Sequence, residues 1–108
     1  MHQLFFYVPV SHCERVKKAL FEKGAGRFRN YDQCSWQTLG SGQFRPLSGS
    51  EPFLGSTGRL ERVDEVRVEM VVEDELVGQV VEALIEAHPY EEPAYGVFRF
   101  QTCDDLRG

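Results

Sequence analysis

From Val66 to Val72 the side chains alternate: Val66, Val68, Met70 and Val72 share one parity, and Arg67 and Glu69 take the other. A period of two is the signature of a strand with one buried face. Such a strand needs an apolar layer to cover it, and the next segment supplies one. Between Asp74 and His88, residues Val77, Val80, Val81, Leu84, Ile85 and Ala87 recur at helical spacing, with Glu75, Gln79, Glu82 and Glu86 on the other side. Pro89 stops this helix, because the residue before a proline is pushed out of helical space.

The same strand-then-helix pairing occurs earlier in the chain. Gln3 to Val10 is a short, aromatic-rich apolar run that suits a central strand buried on both sides. Ser11-His12-Cys13-Glu14 has the spacing of a capping box. A helix striped by Val16, Ala19 and Leu20 should follow and end at Gly24. Tyr31 to Leu39 predicts a strand with Cys34, Trp36 and Thr38 on one face. Gly40-Ser41-Gly42 should turn it into a short partner near Gln43 to Arg45. Ala94 to Gln101 predicts the last strand, burying Tyr95, Val97 and one of Phe98 or Phe100.

The element order is therefore βαββαβ. Two such halves give an α+β, ferredoxin-like sandwich, an antiparallel sheet with both helices on one face. One domain should span residues 1–101, and 102–108 should fray. Residues 42–60 concentrate Gly, Pro and Ser and resist both regular structures. An irregular excursion of that length is uncommon in a compact domain. Its Phe44, Leu47, Phe53 and Leu54 argue for docking on the domain itself or on a neighbouring subunit.

Composition narrows function mainly by exclusion. The net charge of −5, with acids and bases interleaved, repels a phosphate backbone, so no nucleic acid is expected as partner. No apolar run reaches the roughly 18 residues of a membrane span, and no leader pattern opens the chain. A cytoplasmic location is the default expectation. Cys13, Cys34 and Cys103 make an odd set without C-x-x-C spacing, which suits reduced thiols. The chain has no G-x-S-x-G elbow, no H-E-x-x-H and no phosphate-binding G-x-x-x-x-G-K-[ST] loop. A catalytic role is not expected.

The run richest in chemistry is His88-Pro89-Tyr90-Glu91-Glu92-Pro93. It sets an imidazole at a helix C-terminus, where the helix dipole favours the protonated form. A phenol and two carboxylates follow between stiffening prolines. His88, Glu91 and Glu92 are the candidate metal ligands, offering imidazole and carboxylate to a borderline divalent ion. Three donors on one turn do not close a site alone, so another element or subunit must contribute. The plainer alternative is a helix stop whose carboxylates are solvated. His2 and His12 should be exposed, and Glu61, Asp64, Glu65, Glu69 and Glu73 should form a solvated strand face.

Several motifs together resemble a known family. Gly24-Ala25-Gly26, Asn30-Tyr31-x-x-Cys34-Ser35, Gly40-x-Gly42-x-Phe44-x-Pro46-Leu47, Pro52-Phe53-Leu54-Gly55, Glu61-x-Val63-x-Glu65-x-Arg67 and His88-Pro89-Tyr90-Glu91-Glu92-Pro93-Ala94-Tyr95 occur here in this order. In that order they resemble an insert domain of the Nif-three-like proteins, also called YqfO-like or GTP cyclohydrolase I type 2 homologues. The His88 to Glu91 piece also resembles CutA, the divalent-cation tolerance protein. The resemblance spans about Leu4 to Phe100 and implies a PII-like fold that assembles as trimers or larger rings. Full-length family members carry a dinuclear metal site in the halves flanking the insert. Those halves lie outside these residues, so that site and any hydrolase activity do not carry over. Asn30, Tyr31, Cys34 and Tyr90 are the expected ligand-binding residues, with Cys34 or Tyr31 reaching the turn from an adjacent strand or subunit. The expected function is a free-standing, non-enzymatic, oligomeric regulatory or sensor module, a dimer or trimer, binding a small ligand or divalent metal ion. The alternative is a protein-interaction or assembly module without a small ligand.

Overall fold

The alternating segment forms the longest strand in the computed structural model, which describes residues 1–108. This strand, β3 (Glu61–Val72), pairs antiparallel with β1 (His2–Pro9) and with β2 (Trp36–Phe44). The last strand, β4 (Tyr95–Arg99), pairs antiparallel with β1, giving the order β2-β3-β1-β4. Helices α1 (Cys13–Glu22) and α2 (Val77–Ala87) follow β1 and β3. The order of strands and helices is that of a ferredoxin-like sandwich.

Register explains the core. Leu4, Phe6 and Val8 stand opposite Met70, Val68 and Val66, so all six share one face of the sheet. They pack there with Val16, Leu20, Val80 and Leu84 of the helices. Burial at this density accounts for most of the favourable free energy of a domain this size. The other face carries Phe5 and Tyr7 from β1, Arg67 and Glu69 from β3, and Trp36 and Thr38 from β2. No helix covers it.

Several local expectations are corrected. Ser11 and Glu14 form no capping box: a 3-10 turn, Val10–His12, leads into α1, and Ser11 Oγ bonds His12 Nδ1 instead. The end of α1 is as expected. Gly24 takes φ +96°, its amide donates to Phe21 O, and Ala25 donates to Leu20 O, which is a Schellman ending. Gly40-Ser41-Gly42 does not turn. It lies inside β2, which begins at Trp36, so Cys34 precedes the strand. A single long β3 partner, not a short hairpin, takes up the pairing of all nine β2 residues. Ile85 and Tyr95, expected inside, are 49% and 39% exposed, whereas Val97 packs against the core and, of Phe98 and Phe100, the second is the part-buried one. Residues 102–108 are not merely frayed. Thr102 and Asp105 form a reciprocal capping box that starts a short helix, α3 (Cys103–Leu106).

The excursion docks on its own domain. Pro46 is buried and accepts from the Gly58 amide at 2.7 Å, closing the loop at its base. The Phe53 ring meets His12 edge-on with centroids 5.4 Å apart.

Candidate functional site

At the end of the sheet where β1 finishes and β4 begins, the excursion and the His88–Ala94 turn border a half-open cavity of about 590 Å³. Strands β2 and β3 provide part of its lining through Thr38, Gly40, Gly42, Glu65 and Arg67, and Tyr7 of β1 adds to it. Its volume is within the usual range for small-molecule sites.

His88 braces the turn. Its backbone is extended, as a residue before proline requires, while its amide still closes α2 by donating to Leu84 O. The ring is buried and both its nitrogens are engaged. Nε2–H donates to Tyr7 O at 2.7 Å, and Nδ1 accepts from the Tyr90 amide at 3.1 Å. That pairing defines a neutral imidazole. The expected dipole-stabilised imidazolium is therefore corrected: burial lowers the His88 pKa, outweighing the Tyr7 carbonyl and the Glu65 charge, which favour protonation.

Tyr90 donates its hydroxyl to Glu65 Oε2 at 2.9 Å, and its pKa is raised by burial and by that carboxylate. The position of Glu65 depends on Gly42, because a Cβ there would collide with the Glu65 carboxylate. Arg67 lies with its guanidinium 4.3 Å from the Phe5 ring centroid. It donates to Glu69 Oε2 at 3.1 Å and to the Tyr7 hydroxyl. Glu69 also accepts from Gln3 Nε2 at 2.8 Å. The acidic stretch expected to be solvated thus splits: Glu65 and Glu69 are fixed in these networks. Phe44 and Phe53 flank Tyr90, with centroids 5.9 and 6.3 Å from it.

The seven residues singled out from sequence are not gathered at one place. Tyr90, Glu91 and Glu92 line the cavity. His88 stands behind it, with both ring nitrogens committed. Glu91 Oε2 accepts from the Glu51 amide at 2.6 Å, tying turn to excursion. No group of three or more His, Cys, Asp or Glu side chains converges as a metal ion would need. Asn30, Tyr31 and Cys34 lie on the α1–β2 connection, which is anchored where Gly26 N donates to Val71 O. That point is near the end of β3, at the far end of the sheet from the cavity. Tyr7, Glu65, Arg67 and Gly42 were missed as site residues. The signal for them was parity: with both helices on one face, Phe5 and Tyr7 had to meet the charged parity of β3 on the other.

No protein-family model matches the chain. A GTP cyclohydrolase 1 type 2 homologue from Mycobacterium leprae is 48% identical over 92 residues, covering 85% of this chain and 24% of that protein. The chain is a relative of one segment of the GTP cyclohydrolase 1 type 2 homologues. It spans about a quarter of the length of the curated homologues it matches. The crystal structure of a Bacillus cereus protein related to NIF3 superposes with a TM-score of 0.80 at 40% identity, over 94% of this chain and 26% of that one. The periplasmic divalent cation tolerance protein CutA from Archaeoglobus fulgidus superposes with a TM-score of 0.67 at 19% identity, over 94% and 86%. That likeness gives the PII-like, ferredoxin-like fold. No helix is long and apolar enough to cross a membrane.

Proposed function

We propose that this chain is a non-enzymatic regulatory or sensor module that associates with itself and takes a small ligand in the cavity beside Tyr90. The observation that carries the reading is that half-open cavity. Aromatic residues and a few fixed polar groups line a space of small-molecule size, and the turn beside it is stiffened by two prolines and by His88. Preorganisation of that kind reduces the ordering cost of binding.

A divalent metal ion is the second occupant to test, since Glu91 and Glu92 stand together at the rim. His88 joins them as a ligand only by giving up the Tyr90 amide. Self-association is supported by the sheet face that no helix covers, where Trp36 and Phe98 are 58% and 46% exposed. Asn30, Tyr31 and Cys34 belong to the site only if a second copy brings them beside Tyr90. The alternative function, an assembly module with no small ligand, uses the same face and leaves the cavity without a role.

Thermal melting against divalent ions and small organic ligands, with light scattering, tests the reading. A ligand at a hundred times its Kd stabilises by about 2.7 kcal/mol. In a domain this size that raises Tm on the order of 10 °C. The expected result is a saturable rise lost in Tyr90→Ala, in a dimer or trimer at micromolar concentration. A monomer that no ligand stabilises refutes it.

A further inference from the structure

The cavity carries more information than its volume, and Gly40 is the starting point. It lies in the interior of β2, where glycine weakens a strand. A Cβ at Gly40 would meet nothing within 4 Å, and its φ is not in the left-handed region. Gly42 differs, since Glu65 occupies the space its Cβ would need. Within this chain, then, Gly40 has no steric reason to be glycine, and it lines the cavity. A bare backbone in a strand is what a closely approaching flat body requires.

The walls and charges describe that body. Tyr7, Phe44, Phe53 and Tyr90 are the aromatic residues of its lining. Glu65, Glu91 and Glu92 are its carboxylates, and Arg67 is the one cationic side chain in the lining. Arg67 is already held by Glu69, the Tyr7 hydroxyl and the Phe5 face. An anionic ligand would face three carboxylates with no free cation to receive it. A cation would meet carboxylates and aromatic faces, both of which attract it.

We propose that the cavity takes a flat aromatic cation, laid against the bare backbone at Gly40 and among the aromatic walls, with its charge toward the Glu65 and Glu91 carboxylates. This rests on the small-ligand reading above and gives it a chemical class.

The probe is proflavine, a flat fluorescent tricyclic cation, with anthracene-2-carboxylate as an anion of similar shape. Fluorescence titration of the purified chain should show saturable proflavine binding, and the anion weaker by about tenfold or more. Gly40→Val should weaken proflavine by about tenfold or more, while its urea midpoint holds or rises, because valine favours strands. Since Gly40→Val leaves net charge unchanged, its effect separates the cavity from general attraction to an acidic protein. Glu65→Gln should weaken proflavine several-fold and narrow its advantage over the anion. If Gly40→Val fails to fold, Gly40→Ala and Glu65→Gln decide between the outcomes.

Equal proflavine affinity in wild type and the Gly40 variant overturns the proposal, as does an anion that binds as tightly. A wild type that ignores proflavine, with a Gly40 variant altered only in oligomeric state, assigns the glycine to a contact between copies and also overturns it. If another ligand raises Tm in the melting panel while proflavine does not bind, the ligand class fails and the small-ligand reading stands. If nothing raises Tm, both fail.

Discussion

Replacing His88 with alanine tests the central brace of the turn. The change orphans the Tyr7 carbonyl and the Tyr90 amide together. Each buried polar group left without a partner costs about 1–3 kcal/mol, so near neutral pH the variant should lose about 2 kcal/mol or more. The pH dependence is more diagnostic. Burial holds the folded-state pKa of His88 below its ordinary value, whereas the unfolded chain titrates near 6.5. Above about 6.5 the imidazole is neutral in both states and its contribution is complete. As pH falls below that value the unfolded chain takes up a proton the folded one resists, so stability declines by up to about 1.4 kcal/mol per pH unit. Protonation also removes the lone pair on Nδ1 that accepts from Tyr90. Urea unfolding of both proteins, followed by circular dichroism at several pH values from about 7.5 to 5.5, isolates the effect in the difference between them. The remaining ionisable groups are common to both proteins, so their contributions largely cancel in that difference. The stability gap should shrink as pH falls. A constant gap would mean that His88 is not the neutral, doubly bonded group described.

Two further outcomes test the framework around it. Leu84 is fully buried in the core, so Leu84→Ala should cost about 2–5 kcal/mol in urea unfolding, and an unchanged midpoint would place the wrong face of α2 inward. Gly42→Val forces the Glu65 carboxylate aside and costs about 1–3 kcal/mol from overpacking; an ultraviolet titration should show the Tyr90 phenol ionising at lower pH once it is freed from Glu65, and an unmoved titration would refute that link.

What the sequence showed and what it hid follow from where the information is local. The alternation at Val66–Val72, the stripe from Val77 to Leu84 and the glycine at 24 each act within a few residues, and the structure places them as read. Gly40 to Gly42 was misread because glycine signals a turn unless a long partner strand holds it, and that partner lies some twenty residues further along. His88 was misread for a related reason: its charge state is set by burial, which brings its ring against Tyr7, 81 positions away, and outweighs the dipole of the helix it ends. Glu65 and Tyr7 looked like routine strand residues until register put them on the same uncovered face. Tyr90 was singled out because the turn chemistry around it is contiguous in sequence.

Strand β2 forms one edge of the sheet, and no residue from Trp36 to Phe44 carries a charge. Edge strands usually discourage unwanted pairing with lysine, proline or an inward charge, and this one has none of these. Its outward-facing amides and carbonyls remain open to another strand, with no electrostatic barrier in the strand itself. Any added strand would be held by main-chain hydrogen bonds and apolar contact, so such a joint would change little between low and high salt. Handling of this protein should then depend on its concentration far more than on the ionic strength of its buffer. A single lysine at an outward position of β2 would be the economical way to close that edge.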